Sequence, residues 1–147
     1  IYIQIVFALK GRENLIANSW KTELHKYIAG TIKGKGHKSI IVNCMPDHIH
    51  AFVGLKPVMA ISDLVRDIKN NATNFVNDHN FVKGKFAWQE SYGAFSYSHS
   101  HIGKVYDYIL NRKITTKRIE NICYQHFCFG RVIDLSSSGF ISFMALT

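Results

Sequence analysis

The order in which alternating and helical periodicities follow one another predicts an α+β domain. It would be a ferredoxin-like split βαβ unit with a four-stranded, mainly antiparallel sheet and one helix added at its C-terminal end. Three observations carry this. Short, apolar-rich alternating runs open the chain and recur near residues 39, 48 and 93. Stretches with helical spacing separate them. Pro46-Asp47 stands between the second and third runs, where a hairpin turn is needed. With 147 residues, 47% apolar and 13% aromatic, the chain suffices for one domain whose core needs no disulfide staples.

In the first run Ile1, Ile3, Ile5 and Phe7 alternate with Tyr2, Gln4, Val6 and Ala8. Both faces are largely apolar, so this strand belongs in the middle of a sheet. It is too short to span a bilayer and lacks a basic leader, and the absence of an initiator Met reads as a trimmed start. A basic turn with Lys10 and Arg12 follows. Ile16, Trp20, Leu24, Tyr27, Ile28 and Ile32 then recur at helical spacing. The loop Lys33-Gly34-Lys35-Gly36-His37-Lys38 is either a solvated loop or a phosphate contact. Ser39 to Met45 is the second strand, and the third starts at His48. Ser62 is placed to cap a second helix with Asp63 in its first turn. Its apolar stripe runs from Ile61 to Val76, and Arg66, Lys69, Asn70, Asn71 and Asn74 lie on the other face. That face is either simply solvated or suited to a nucleic-acid backbone. Lys83, Lys85 and Trp88 interleave base with aromatic; they can track a strand and stack bases, or Trp88 can belong to the core. Gly93 to Tyr97 is the fourth strand, and Ser98 or Ser100 caps a third helix.

Charge narrows the partners. The formal net charge of +8 favours nucleic acid over an anionic membrane. Three cysteines, Cys44, Cys123 and Cys128, form no disulfide framework, and a reduced cytoplasm is the simplest setting.

Two places carry chemistry. In Met45-Pro46-Asp47-His48-Ile49-His50-Ala51-Phe52-Val53-Gly54, side chains alternate faces along the strand. Ile49, Ala51 and Val53 face a core; His48 and His50 project from the opposite face, about 7 Å apart along the backbone. They are either two solvated histidines or a metal-ligand pair needing a third donor from elsewhere. On the third helix, Ile102, Val105, Tyr106 and Ile109 form the apolar stripe, which makes Tyr106 a core residue. Tyr108 falls off the stripe beside His101, Lys104 and Arg112 and is free to present its hydroxyl. Metal and tyrosine together suit one reaction. The metal polarises a phosphate while the tyrosine oxygen attacks phosphorus and displaces a sugar hydroxyl.

Pro46-Asp47-His48-Ile49-His50 resembles the HUH motif of single-tyrosine transposases of the bacterial insertion sequence 200-like family. Ser62 to Lys69 resembles that family's second helix, and Trp88-Gln89-Glu90-Ser91-Tyr92-Gly93-Ala94-Phe95-Ser96 its strand before the catalytic helix. Tyr108-Ile109-Leu110-Asn111 matches its Tyr-Ile-x-Asn. The resemblance covers residues 1–111. It implies a homodimeric enzyme that cuts and rejoins single-stranded DNA through a 5′-phosphotyrosine and recognises hairpins at element ends. It further implies a divalent cofactor, Mg²⁺ or Mn²⁺, with His48 and His50 as metal ligands and Tyr108 as nucleophile. Lys10, Arg12, Lys33, Lys35, Lys38, Arg66, Lys69, Asn70, Lys83, Lys85, Trp88, Lys104 and Arg112 are the candidate DNA contacts.

One departure stands out. The family carries a glutamine one turn after the tyrosine that contributes to its metal site; this chain has Arg112. Arginine has no acceptor, so it cannot ligate a metal; it either stabilises a phosphate or repels the ion. From Arg112 to Thr147 the resemblance ends abruptly, as a frameshift would produce. The nucleotide sequence would carry the family's continuation in another frame, and a reading that finds none there refutes this. Cys123, His126 and Cys128 match no common zinc spacing. Phe140 to Leu146 is apolar and must either dock somewhere or promote aggregation. Residues 1–111 are therefore expected to form the transposase domain and 112–147 a divergent tail. A hairpin-binding protein that has lost cleavage is the alternative. A replication or conjugation nickase and an RNA-binding module fit the motif order and the strand histidines less well.

Overall fold

The computed structural model describes residues 1–112 together with the backbone of 131–135 and 141–143. The tail's Cys123, His126 and Cys128 lie outside the described residues. The elements are β1 (Tyr2–Ala8), α1 (Asn18–Gly34), β2 (Lys38–Cys44), β3 (His48–Gly54), α2 (Ile61–Asp78), β4 (Gly93–Tyr97), α3 (Ile102–Leu110), β5 (Arg131–Leu135) and β6 (Ile141–Phe143). Short 3-10 turns cover Lys10–Arg12 and His99–His101.

The strands form one antiparallel sheet in the order β2-β3-β1-β4-β5-β6. The first four make the expected split βαβ pattern, with doubly apolar β1 in the interior. β5 and β6 extend the sheet beyond β4. The hairpin between β2 and β3 is as short as its Pro-Asp pair allows, closed by Met45 N–H donating to the His48 carbonyl at 2.7 Å. Its Pro46 and Asp47 carbonyls accept N–H groups from Ile16 and Leu9, which fastens the turn to both neighbouring segments.

One sheet face, with Ile3, Ile5, Phe7, Ile49, Ala51 and Val53, is covered by α1 and α2 through Leu24, Ile28, Leu64 and Ile68. The other meets α3, where Val105 and Ile109 pack on Val6, Phe52, Phe95 and Tyr97. The sheet is thus sandwiched between two helical layers, and the two histidines of β3 point into the smaller one.

Several expectations need correction. Helix α1 begins at Asn18, so Ile16 lies ahead of it, buried and tied to the Pro46 carbonyl. Ser62 is no cap: α2 begins one residue earlier, with Ala60 at the cap position and no side-chain cap bond. Ser98 stands only at the head of the 3-10 turn before α3 and makes no side-chain cap bond, its Oγ meeting the side chains of Ser100 and His101 instead; His101 holds the N-cap position of α3 itself. Tyr106 is 38% exposed, whereas Tyr108 packs against the α3-side cluster. The reason is geometric. Both tyrosines stand roughly 80° from the centre of the Val105–Ile109 stripe at 100° per residue. Helical periodicity alone therefore cannot choose between them, and the direction in which the sheet extends does.

Candidate active site

The site is assembled from four strands and one helix. His48 is 8% exposed and His50 fully buried, although both were expected on a projecting face; they share the sheet face on which α3 packs. Their rings meet edge to face at 5.0 Å between centroids. His48 Nδ1 is bonded to the carboxylate of Asp47, so this nitrogen carries a proton.

His50 is held at both nitrogens. Arg112 Nη1 lies 3.1 Å from Nε2, and the Gln4 amide lies 3.0 Å from Nδ1. A guanidinium only donates, so Nε2 accepts and Nδ1 carries the proton. The Gln4 group facing Nδ1 must then be its oxygen, leaving the amide NH₂ to donate to the Tyr97 oxygen. This is the end-for-end turn of the arrangement in which the Tyr97 hydroxyl donates to Gln4 Oε1 at 3.1 Å. The two ends of an amide are nearly the same size, so proton inventory decides between them. Both imidazoles are thus backed at Nδ1, one by a carboxylate and one by an amide, as metal-bound imidazoles usually are.

Helix α3 brings the tyrosine. Asn43 of β2 donates from Nδ2 to the Ile109 carbonyl at 2.6 Å, in the last turn of the helix. That bond pins the last turn of α3 to the strand that pairs with β3 through Asn43 and His50. Tyr108 is half-buried there, and the Arg112 guanidinium carbon lies 5.1 Å from its ring centre. Burial pushes the Tyr108 hydroxyl above its ordinary pKa, with the Arg112 charge acting against that rise. Tyr97, buried beside it, is pushed up to about 12.

The pair of imidazoles fits a metal, but the third corner does not. A cationic donor stands against His50, and among the described residues no three His, Cys, Asp or Glu side chains converge on one point.

The expected DNA contacts are scattered. Lys10, Lys33, Lys38, Lys83, Lys85, Asn70 and Lys104 are exposed, and Arg12 sits in the first 3-10 turn. Lys35 is paired with Asp67 at 2.6 Å, and Arg66 with Asp63 at 2.8 Å. Lys69 turns inward, donating to the carbonyls of Gln89, Glu90 and Ser91, and burial lowers its pKa to about 8. Trp88 is half-buried and donates to the Lys69 carbonyl. Arg66, Lys69, Asn70 and Trp88 line one open cavity of about 430 Å³ beside α2, on the layer away from the histidines. Of the thirteen candidate contacts, only Arg112 touches the histidine–tyrosine site in a described hydrogen bond or ring contact.

Gln4, Asn43 and Tyr97 escaped sequence reasoning. Gln4 did carry a signal, an amide among apolar neighbours on an interior strand. Asn43 and Tyr97 carried none, because their partners lie 66 and 93 residues away.

A split βαβ sheet thus carries a His-x-His strand, with a tyrosine-bearing helix laid across it. The chain belongs to the family described as Transposase IS200 like, whose model matches residues 1–112. Among solved structures, a protein of Deinococcus radiodurans R1 assigned as a transposase is similar at 20% identity with a TM-score of 0.62, over 78% of this chain and 92% of that one. A REP-associated tyrosine transposase bound to a REP hairpin is similar at 16% identity with a TM-score of 0.55, over 85% of this chain and 67% of that one. These likenesses concern the fold. No curated protein matches the chain. No helix among the described residues is long and apolar enough to cross a membrane.

Proposed function

We propose that residues 1–111 form a transposase domain that cleaves and rejoins single-stranded DNA at element ends through a 5′-phosphotyrosine, and that residues 112–147 are a divergent tail. Tyr108 is the nucleophile. Its oxygen attacks phosphorus, the bond to the 3′ sugar oxygen breaks, and that oxygen leaves as a hydroxyl. Reversal by a second 3′-hydroxyl rejoins the strand and frees the tyrosine. The observation that carries this reading is the meeting of Tyr108 with the buried histidine pair through Arg112, 3.1 Å from His50 and 5.1 Å from the tyrosine ring centre.

His48 and His50 are the side chains that would hold a divalent ion, Mg²⁺ or Mn²⁺, whose chemistry would be to neutralise charge on the phosphate. A homodimer acting on hairpin ends in the bacterial cytoplasm completes the proposal. The REP hairpin bound by the REP-associated transposase of similar fold supports the DNA part.

A second reading is favoured by one contact. The guanidinium on His50 Nε2 engages the lone pair a metal would use. On that ground the chain is a hairpin-binding protein with impaired cleavage.

Denaturing gels after incubation with labelled single-stranded DNA carrying the host element's end hairpin, with Mn²⁺ or Mg²⁺, separate the two. The enzyme reading expects a covalent adduct that falls by at least roughly a thousandfold in Tyr108→Phe and is lost with chelator. Hairpin binding without any adduct supports the second reading and overturns the first.

A further inference from the structure

We propose that the Arg112 guanidinium is the resident cation of this site and binds the phosphodiester of an unpaired DNA strand itself, so that strand capture here does not depend on a divalent ion. The inference rests on reading the site as one for single-stranded DNA, but not on cleavage.

Three observations converge on it. Arg112 Nη1 is 3.1 Å from His50 Nε2, and that contact uses one of five guanidinium donors, which leaves a fork able to take two phosphate oxygens. The group lies over the Tyr108 ring, at 5.1 Å from its centre, so a phosphate it holds is beside the tyrosine. The arm also starts from a fixed point. Arg112 follows the last turn of α3, where its N–H donates to Ile109 O at 3.4 Å and Asn43 holds that same carbonyl from β2. A cation is also favoured at a helix C-terminus, where the dipole is negative.

The same geometry sets guanidinium and metal in competition. Both need the Nε2 lone pair of His50, and two cations at one corner repel each other at a few ångströms. A histidine pair backed at Nδ1 as metal ligands are, with an arginine on His50 Nε2, is thus a site in which a fixed positive charge stands where a metal ion would.

The test measures binding, with the full chain in a Tyr108→Phe background so that no covalent product forms. Anisotropy of a labelled oligothymidylate is recorded at about 150 mM salt, in chelator and in Mn²⁺, for Arg112, Arg112→Lys and Arg112→Gln. Electron paramagnetic resonance follows Mn²⁺ uptake, and circular dichroism checks that each variant is folded. With Arg112, affinity is expected to change less than twofold between chelator and Mn²⁺, and Mn²⁺ uptake to be weak. In Arg112→Gln, affinity in chelator is expected to fall about tenfold, while Mn²⁺ uptake tightens and restores it. Arg112→Lys, with charge but no fork, is expected to fall between. Equal affinity of Arg112 and Arg112→Gln in chelator would overturn the proposal, as would equal Mn²⁺ uptake by both. Should the predicted shifts occur while the Tyr108 chain never forms an adduct, strand transfer is refuted and this inference stands. An adduct that forms without these shifts refutes this inference alone.

Discussion

The two faces of the sheet are built on opposite terms. Under α1 and α2 lies a broad apolar layer running from Ile3 and Phe7 through Ala51 and Val53 to Leu64 and Ile68. Under α3 the apolar cluster is small, and Gln4, Asn43, His48 and His50 are buried along with it. Apolar adhesion is non-directional, so the first face tolerates small changes of shape. Hydrogen bonds are directional, and a buried polar group that loses its partner costs its full desolvation. The first face therefore supplies most of the stability, and the second spends its order on holding an imidazole, an arginine and a tyrosine in register.

Truncation of Ile68, fully buried on the larger face, should make the contrast plainest. Ile68→Ala is expected to cost about 3–4 kcal/mol in urea unfolding while strand binding per folded molecule stays the same. Loss of binding in the folded variant would show that the two faces are coupled.

Acid should act next, again on the larger face. His25 Nε2 accepts the Cys44 N–H at 2.7 Å, and burial, aided by Lys21, lowers its pKa from 6.5 to about 4. Between those values the unfolded chain binds the proton that the folded chain refuses, so stability is full above about pH 6.5 and is lost as pH falls toward 4. The shift corresponds to about 3 kcal/mol, which the ring's partial exposure reduces to roughly 2. The urea midpoint should fall more between pH 7 and 4.5 in the natural chain than in His25→Gln. An equal fall in both would remove His25 from the account.

The smallest effect on stability should come from the α3 face, with the larger consequence for the site. Asn43→Ala removes one bond to the Ile109 carbonyl and should cost about 1–2 kcal/mol. It frees the last turn of α3, so strand affinity in chelator should drop toward that of Arg112→Gln. Affinity unchanged from the natural chain would mean that the helix is held without Asn43.

How far the sequence speaks follows the same division. Strand alternation and helical spacing report burial, so the four principal strands, the three helices and the inward turn of Ile49, Ala51 and Val53 were legible. His48 and His50 were singled out by their spacing, and Tyr108 by its place off the apolar stripe and its Tyr-Ile-x-Asn setting. Their burial was not legible, since it depends on where α3 comes to rest. Tyr106 and Tyr108 could not be told apart by angle on the helix, and Asn43 and Tyr97 act on partners distant in the chain. Arg112 was readable as a departure and as a neighbour of Tyr108 one turn on. That it reaches His50, 62 residues earlier, is a fact of packing alone.

The interior place of β1 also has a consequence for synthesis. Tyr2–Ala8 is made before both of its partners, for it pairs on one side with residues 48–54 and on the other with 93–97. The ribosome adds about 5–20 residues per second, so this apolar strand waits roughly 5 to 20 seconds for its second neighbour. Through that interval it offers an unpaired apolar edge to other nascent chains. The chain is thus most exposed to aggregation, and most in need of a holding chaperone, before its tyrosine helix has been translated.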